Sequence, residues 1–182
     1  MAIKSTIFKA NLSIADIDHA YYADHSLTLA RHPSETDERM MVRVLAYALQ
    51  AHEDLVFTKG LSETDEPDLW IKDLTDAIQL WIEIGQPDER RILKACGRAE
   101  QVIVYCYGGQ TSKIWWDGIM NKVNRARNLQ VISIPSDQAH DLEKLVERSM
   151  VIHVNIQDGE VYVSSNMGQV TVTPEIWRSN QE

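Results

Sequence analysis

Cysteine is scarce in this chain: two residues, Cys96 and Cys106, among 182. Their spacing matches no zinc-binding pattern, and a pair cannot supply a disulfide framework. Cys96 falls in an expected helix and Cys106 in an expected strand of Val and Ile, and both are expected to be buried free thiols, so the chain is read as cytoplasmic. Long hydrophobic runs are missing too. Nowhere do about 18 apolar residues follow one another, so no membrane span is expected. The opening Met1-Ala2-Ile3-Lys4-Ser5-Thr6 has no apolar core of a secretory signal. Positive charge is in deficit, with 18 Lys and Arg against 27 Asp and Glu and a net charge of −9. That balance argues against a general nucleic-acid binder. There is no internal repeat, no low-complexity stretch, no Gly-x-Ser-x-Gly elbow, and no metal-ligand spacing among the six histidines.

What remains is an ordinary globular composition, 44% hydrophobic and 25% charged. The length suits a single domain spanning 1–182, with disorder expected only in the polar tail Arg178–Glu182. Charge is unevenly spread. Residues 1–86 carry 7 basic against 15 acidic groups, residues 87–128 carry 8 against 4, and residues 129–182 carry 3 against 8. A basic middle region between acidic flanks leaves a local site for a phosphate-bearing partner open.

Periodicity points to an α/β protein. Ile3–Ile17 and Tyr21–Ala30 read as two strands joined at Asp18-His19, an antiparallel hairpin. Pro33-Ser34-Glu35-Thr36-Asp37 reads as a helix start with Ser34 as N-cap, and the helix is expected to run to about His52. Its apolar stripe of Met41, Val42, Leu45, Ala48 and Leu49 has Glu38 at its N-terminal end. After the acidic loop Gly60–Asp68, Leu69–Lys72 is a short strand or turn. Ile78–Ile84 is an internal strand, apolar on both faces, with Trp81 and Glu83 sharing one of them. Helices from Pro87 to Gly97 and Ser112 to Arg127 alternate with strands Gln101–Tyr107 and Leu129–Ile134, which implies right-handed crossovers and parallel pairing. A helix over Pro135–Ser149 precedes strands at Val151–Ile156, Val161–Ser164 and Val170–Thr173, the first two joined by the Asp158-Gly159 turn. The expected architecture is one mixed β-sheet flanked by helices on both faces, with extra antiparallel strands at both ends.

Several segments could carry chemistry. Tyr107-Gly108-Gly109-Gln110-Thr111-Ser112-Lys113 follows a strand and opens a helix but does not match a P-loop. It is either a tight turn or a ligand loop at a strand's carboxyl end, with Lys113 at its mouth. Trp115-Trp116, followed by Lys122, Arg125 and Arg127, either stacks on single-stranded bases or packs into the core with Ile119, Met120 and Val123. The carboxylates say more. Asp68 starts one β segment and Glu83 ends an otherwise apolar strand, where a charge must be paired, solvated or metal-bound. On adjacent strands the two could converge on a hard divalent cation such as Mg²⁺. Alternatively, Glu83 pairs with Arg90, Arg91 or Lys94.

Pro67-Asp68 followed by Glu83-Ile84-Gly85-Gln86, with Glu38 upstream on a helix, is similar to the PD-(D/E)xK phosphodiesterase superfamily. Nearly the whole chain resembles the YaeQ family. The resemblance is carried by Gly60–Trp70, Trp81-Ile82-Glu83-Ile84-Gly85-Gln86-Pro87, and the region from Tyr107-Gly108 to Trp115-Trp116. It implies a restriction-endonuclease-like core in which Asp68 and Glu83 hold Mg²⁺ and Glu38 is a further acid. In such enzymes a lysine two residues after the second acid helps orient or deprotonate the attacking water. Here that position is Gly85, so Gln86, Lys113 or Lys72 would have to supply the polar group. The expectation is a Mg²⁺-dependent phosphodiesterase or nuclease-like protein with Glu38, Asp68, Glu83, Gln86 and Lys113 at the site. The alternative is a non-catalytic binder on the same fold, docking nucleic acid or a protein through the basic 87–128 region.

Overall fold

The computed structural model describes residues 4–181. They form two β-sheets rather than one, in two compact units: residues 4–49 with 135–174, and residues 50–134 with 175–181.

The first unit opens with the expected hairpin, β1 (Thr6–Asp16) and β2 (Tyr21–Arg31), paired antiparallel along their full length. Helix α1 (Asp37–Leu49) follows. Its cap is Thr36 and not Ser34: the Thr36 hydroxyl accepts the Arg39 N–H at 3.1 Å, while Ser34 Oγ is engaged by His32 at 2.6 Å. Glu35 is free of capping duty and forms a buried ion pair with Arg43, at 2.6 and 2.9 Å, joined by Arg39. After an excursion into the second unit, the chain returns as α4 (Ser136–Glu143), β8 (Ser149–Gln157), β9 (Glu160–Ser165) and β10 (Gly168–Val172). The strand order is β10-β9-β8-β1-β2, with β8 parallel to β1 and every other pair antiparallel. Burial alternates residue by residue along β8, so one face is covered and the other is open. Met41, Leu45 and Ala48 of α1 and Leu142 of α4 pack on Ile152, Val154 and Val163 of the covered face. The terminal strands therefore do not extend the central sheet, as the sequence pattern suggested. They find each other, because period-2 alternation specifies a one-sided strand but not the sheet that accepts it.

The second unit holds β3 (Val56–Phe57), a short 3-10 turn at Gly60–Ser62, β4 (Leu69–Lys72), β5 (Ile78–Ile84), α2 (Glu89–Arg98), β6 (Ala99–Tyr107), α3 (Gln110–Ile119), β7 (Leu129–Ile134) and β11 (Glu175–Arg178). The order is β11-β7-β6-β5-β4-β3, with β5, β6 and β7 parallel and the flanking strands antiparallel. Two successive right-handed crossovers in one direction put both helices on one face of this sheet. There Ile92, Ala95 and Trp116 pack with Trp81, Val102, Val104, Cys106 and Val131. A strand not expected from the sequence, β11, covers the free edge of β7, and of the polar tail Arg178–Glu182 only Arg178 belongs to it. Cys106 is buried and Cys96 partly so, neither is in a disulfide, and burial pushes both thiols up to about 11. No helix among the described residues is long and apolar enough to cross a membrane.

Candidate functional site

The register of β4 on β5 decides where the acid pair falls. Leu69 lies opposite Ile82, the terminal pair of that register, so Asp68 falls just before β4, beside the carboxyl end of β5 that carries Glu83. The Asp68 N–H donates to the Ile82 carbonyl at 3.0 Å, one residue out of the register that pairs Leu69 with Ile82, so the ladder bulges at Asp68. Asp68 remains close enough for its charge to raise the Glu83 carboxyl. Both carboxylates are nearly sealed, at 3% and 4% exposure, beneath the acidic loop.

Each carboxylate is held by donors from its surroundings. Asp68 Oδ2 accepts the Ile84 N–H at 2.8 Å. Glu83 Oε1 accepts both the Trp81 indole N–H and Arg91 Nε, each at 2.8 Å. The Trp81 bond follows from strand geometry, since residues two apart share a face. Arg91 arrives from α2, one turn past its N-cap, where Asp88 accepts the Arg91 backbone N–H at 2.8 Å. Its two remaining nitrogens take the carbonyls of Thr64 (2.5 Å) and Glu66 (2.7 Å), so one guanidinium joins Glu83 to the loop above it. Both donors converge on Oε1. Glu83 Oε2 has no hydrogen bond among the described residues. Burial pushes the Glu83 carboxyl up to about 7, and the neighbouring Asp68 adds to the shift, against the pull of Arg91 and Trp81. The loop is fitted to this site at Gly60: its φ is +52°, and a Cβ there would stand 3.3 Å from Asp68 Oδ1.

The other expected residues have different partners. Gln86 Nε2 donates to the Tyr107 carbonyl (3.3 Å) and to Ser112 Oγ (3.2 Å), tying the end of β5 to the turn that opens α3. Lys113 pairs with Asp117 at 3.0 Å and lies over the Trp177 ring at 5.5 Å. Lys72 pairs with Asp76 at 3.3 Å and covers Trp70. Gly85, two residues after Glu83, adopts φ +108°, a conformation that L side chains rarely take. The backbone there is built for glycine, and the cation at Glu83 is Arg91 of α2. Sequence reading had Arg91 only as one of three pairing candidates for Glu83; its place in the N-terminal turn of α2, three residues after Asp88, was the available signal. Trp116 packs in the core, with Val123, while Met120 is exposed.

Glu38 belongs to the first unit. It sits half-buried in the first turn of α1 with its carboxylate against the His140 imidazole, and Glu143 lies 3.9 Å from the same ring nitrogen. Burial raises the Glu38 carboxyl and His140 opposes the shift. Ligating atoms of Glu38, His140 and Glu143 all lie within 4.8 Å of one another.

The sequence model of the family described as YaeQ protein matches residues 1–174. The chain belongs to the YaeQ family. A relative described as "Uncharacterized protein YaeQ" from Escherichia coli strain K12 is 42% identical over 178 residues, 98% of each chain, and the Salmonella typhi relative is equally similar. The crystal structure of the YaeQ protein from Xanthomonas axonopodis pv. citri superposes with a TM-score of 0.94 at 50% identity, covering 96% of this chain and 99% of that one. That from Pseudomonas syringae gives 0.92 at 36% identity, covering 98% of each. The YaeQ fold thus includes both sheets, and β11 begins where the family match ends.

Proposed function

We propose that the Asp68–Glu83 pair is the metal-binding centre of a Mg²⁺-dependent phosphodiesterase of the PD-(D/E)xK type, acting on a nucleic-acid or nucleotide substrate. The observation that carries this reading is the open oxygen, Glu83 Oε2, on a buried carboxylate beside a second one. Two mutually repelling carboxylates in a sealed site fit a hard cation, which takes one or two carboxylates and completes its shell with water. When bound, the ion would neutralise charge on a phosphodiester oxygen and acidify a water.

The chain's own residues do the positioning. The Ile84 N–H fixes one Asp68 oxygen. Trp81 and Arg91 fix one Glu83 oxygen and leave the other without a hydrogen bond among the described residues. With glycine required at 85, Arg91 is the cation nearest the acid pair. Arginine stays protonated, so it serves as an electrostatic anchor and not as a general base. Glu83, as a ligand of the ion, is not a base, so water or a phosphate oxygen of the substrate would take the proton.

The same Arg91 contact suits a second reading, a purely structural ion pair in a non-catalytic binder that uses the basic 87–128 region. Calorimetry with Mg²⁺ and Mn²⁺ separates the two. Wild type is expected to bind one ion or more, and Asp68→Ala and Glu83→Ala to bind none while keeping a native circular dichroism spectrum. The ion must displace the Glu83 proton, so affinity should rise about tenfold per pH unit below 7 and level off above it. A wild-type protein silent to both metals at pH 8 removes the phosphodiesterase reading.

A further inference from the structure

Helix α2 carries Arg90, Arg91, Lys94 and Arg98 on one side, within roughly a 100° arc, while Ile92 and Ala95 on the other side enter the core. That cationic side borders a cavity of about 220 Å³, whose wall is completed by Trp81, Asp88, Thr64 and Asp65. Trp81 and Arg91, the two donors to Glu83, are both in this wall, so the cavity adjoins the acid pair.

The four cations are unequally engaged. Arg91 is committed to Glu83 and to loop carbonyls. Lys94 takes the exposed Asp65 carboxylate at 2.8 Å. Arg98 holds the Asp65 carbonyl at 2.9 Å and stacks over Trp81 at 5.0 Å, with no carboxylate partner. Arg90 is exposed and has no hydrogen bond or ion pair among the described residues. In a chain of net charge −9, such a concentration of guanidinium groups around one concavity creates a local field for anions.

Size narrows the ligand. Pockets for drug-sized molecules run to roughly 300–1,000 Å³, so a cavity of about 220 Å³ admits a fragment such as one phosphate or a sugar-phosphate. Guanidinium forks match phosphate oxygens in geometry and charge. We propose that the cationic side of α2 is a subsite for a phosphate group of the substrate, beside Asp68 and Glu83, and that the Asp65 carboxylate on Lys94 is the group this phosphate displaces. The inference rests on the phosphodiester reading for its substrate class but not for its binding chemistry.

The test measures binding of inorganic phosphate by calorimetry and of a short fluorescein-labelled single-stranded DNA by anisotropy, both at low ionic strength without metal. Arg90→Ala/Arg98→Ala should weaken both by about tenfold or more, and Asp65→Asn should tighten both about two- to fivefold. Since Arg98 stacks on Trp81, single Arg90→Ala, which removes an unpartnered side chain, serves as the variant least able to disturb folding and should show the same direction. A wild type that binds phosphate as tightly as DNA marks a free-phosphate or nucleotide ligand; much tighter DNA binding marks a polymer backbone. The proposal is overturned if wild type binds neither, if the α2 variants bind normally, or if Arg125→Ala/Arg127→Ala loses as much. Metal silence together with α2-dependent phosphate binding would retain the subsite and remove the phosphodiesterase.

Discussion

Two buried carboxylates in this protein solve the same electrostatic problem in different ways. Glu35 uses both oxygens on the guanidinium of Arg43 and adds Arg39, so its charge is fully met. Glu83 receives two donors on one oxygen and none on the other, beside a second carboxylate, and its carboxyl moves up to about 7 from an ordinary 4.5. An acid whose folded value is raised holds a proton that the unfolded chain has already lost. Its contribution to stability is complete below about 4.5 and disappears as pH rises through about 7. At about 1.4 kcal/mol per unit, the swing is about 3 kcal/mol. Glu83→Gln keeps the Oε1 acceptor and removes the titration. In urea titrations from pH 5 to 8 in metal-free buffer, the variant should gain on wild type by roughly that amount; a constant difference would show that Glu83 titrates normally. Glu83 stood out in the sequence because a charge inside an apolar strand demands a reason. Arg91 did not, since its backbone lies eight residues away and only the return of α2 across the sheet brings its side chain back.

Elements were legible wherever one local signal acted alone. The β1–β2 hairpin, β5 and β6 follow their sequence patterns. Where two signals competed, boundaries moved. Ser34 and Thr36 were both competent caps, and Ser34 lost because His32 already engages its hydroxyl. Helix α4 stops at Glu143, well before Ser149, because Ser149 begins β8 and the residues between form a turn. Helix α3 ends at Ile119, not Arg127, with Val123 and Ala126 still reaching the core from the turns that follow. Asp88 is an unambiguous cap. Asp88→Ala should lower stability by about 1 kcal/mol in thermal or chemical unfolding, and it should also loosen Arg91, whose backbone N–H that carboxylate holds. Asp88→Asn, which caps as well as aspartate, should restore the stability.

At the scale of the molecule, the chain passes between its two units three times, at Leu49–Gln50, Ile134–Pro135 and Pro174–Glu175. The last passage returns only β11 to the six-stranded sheet, where it pairs with β7 and Arg178 reaches the Asn124 and Ala126 carbonyls. Ending the chain at Pro174 should therefore expose the β7 edge. Amide exchange is expected to quicken in Leu129–Ile134 and to stay unchanged in Glu160–Ser165 of the other sheet; uniform loss of protection would show that β11 supports both units. Sequence alone determined the α/β class, the order of most elements, the pairing of adjacent strands and the unusual status of Asp68 and Glu83, because these depend on local periodicity, turn chemistry and the cost of charge in an apolar segment. Tertiary structure decided the rest: two sheets where one was expected, the place of the terminal strand, the Arg91 contact and the glycine geometry at 85. Those depend on which distant segments bury each other's surfaces, and neither periodicity nor spacing encodes that choice.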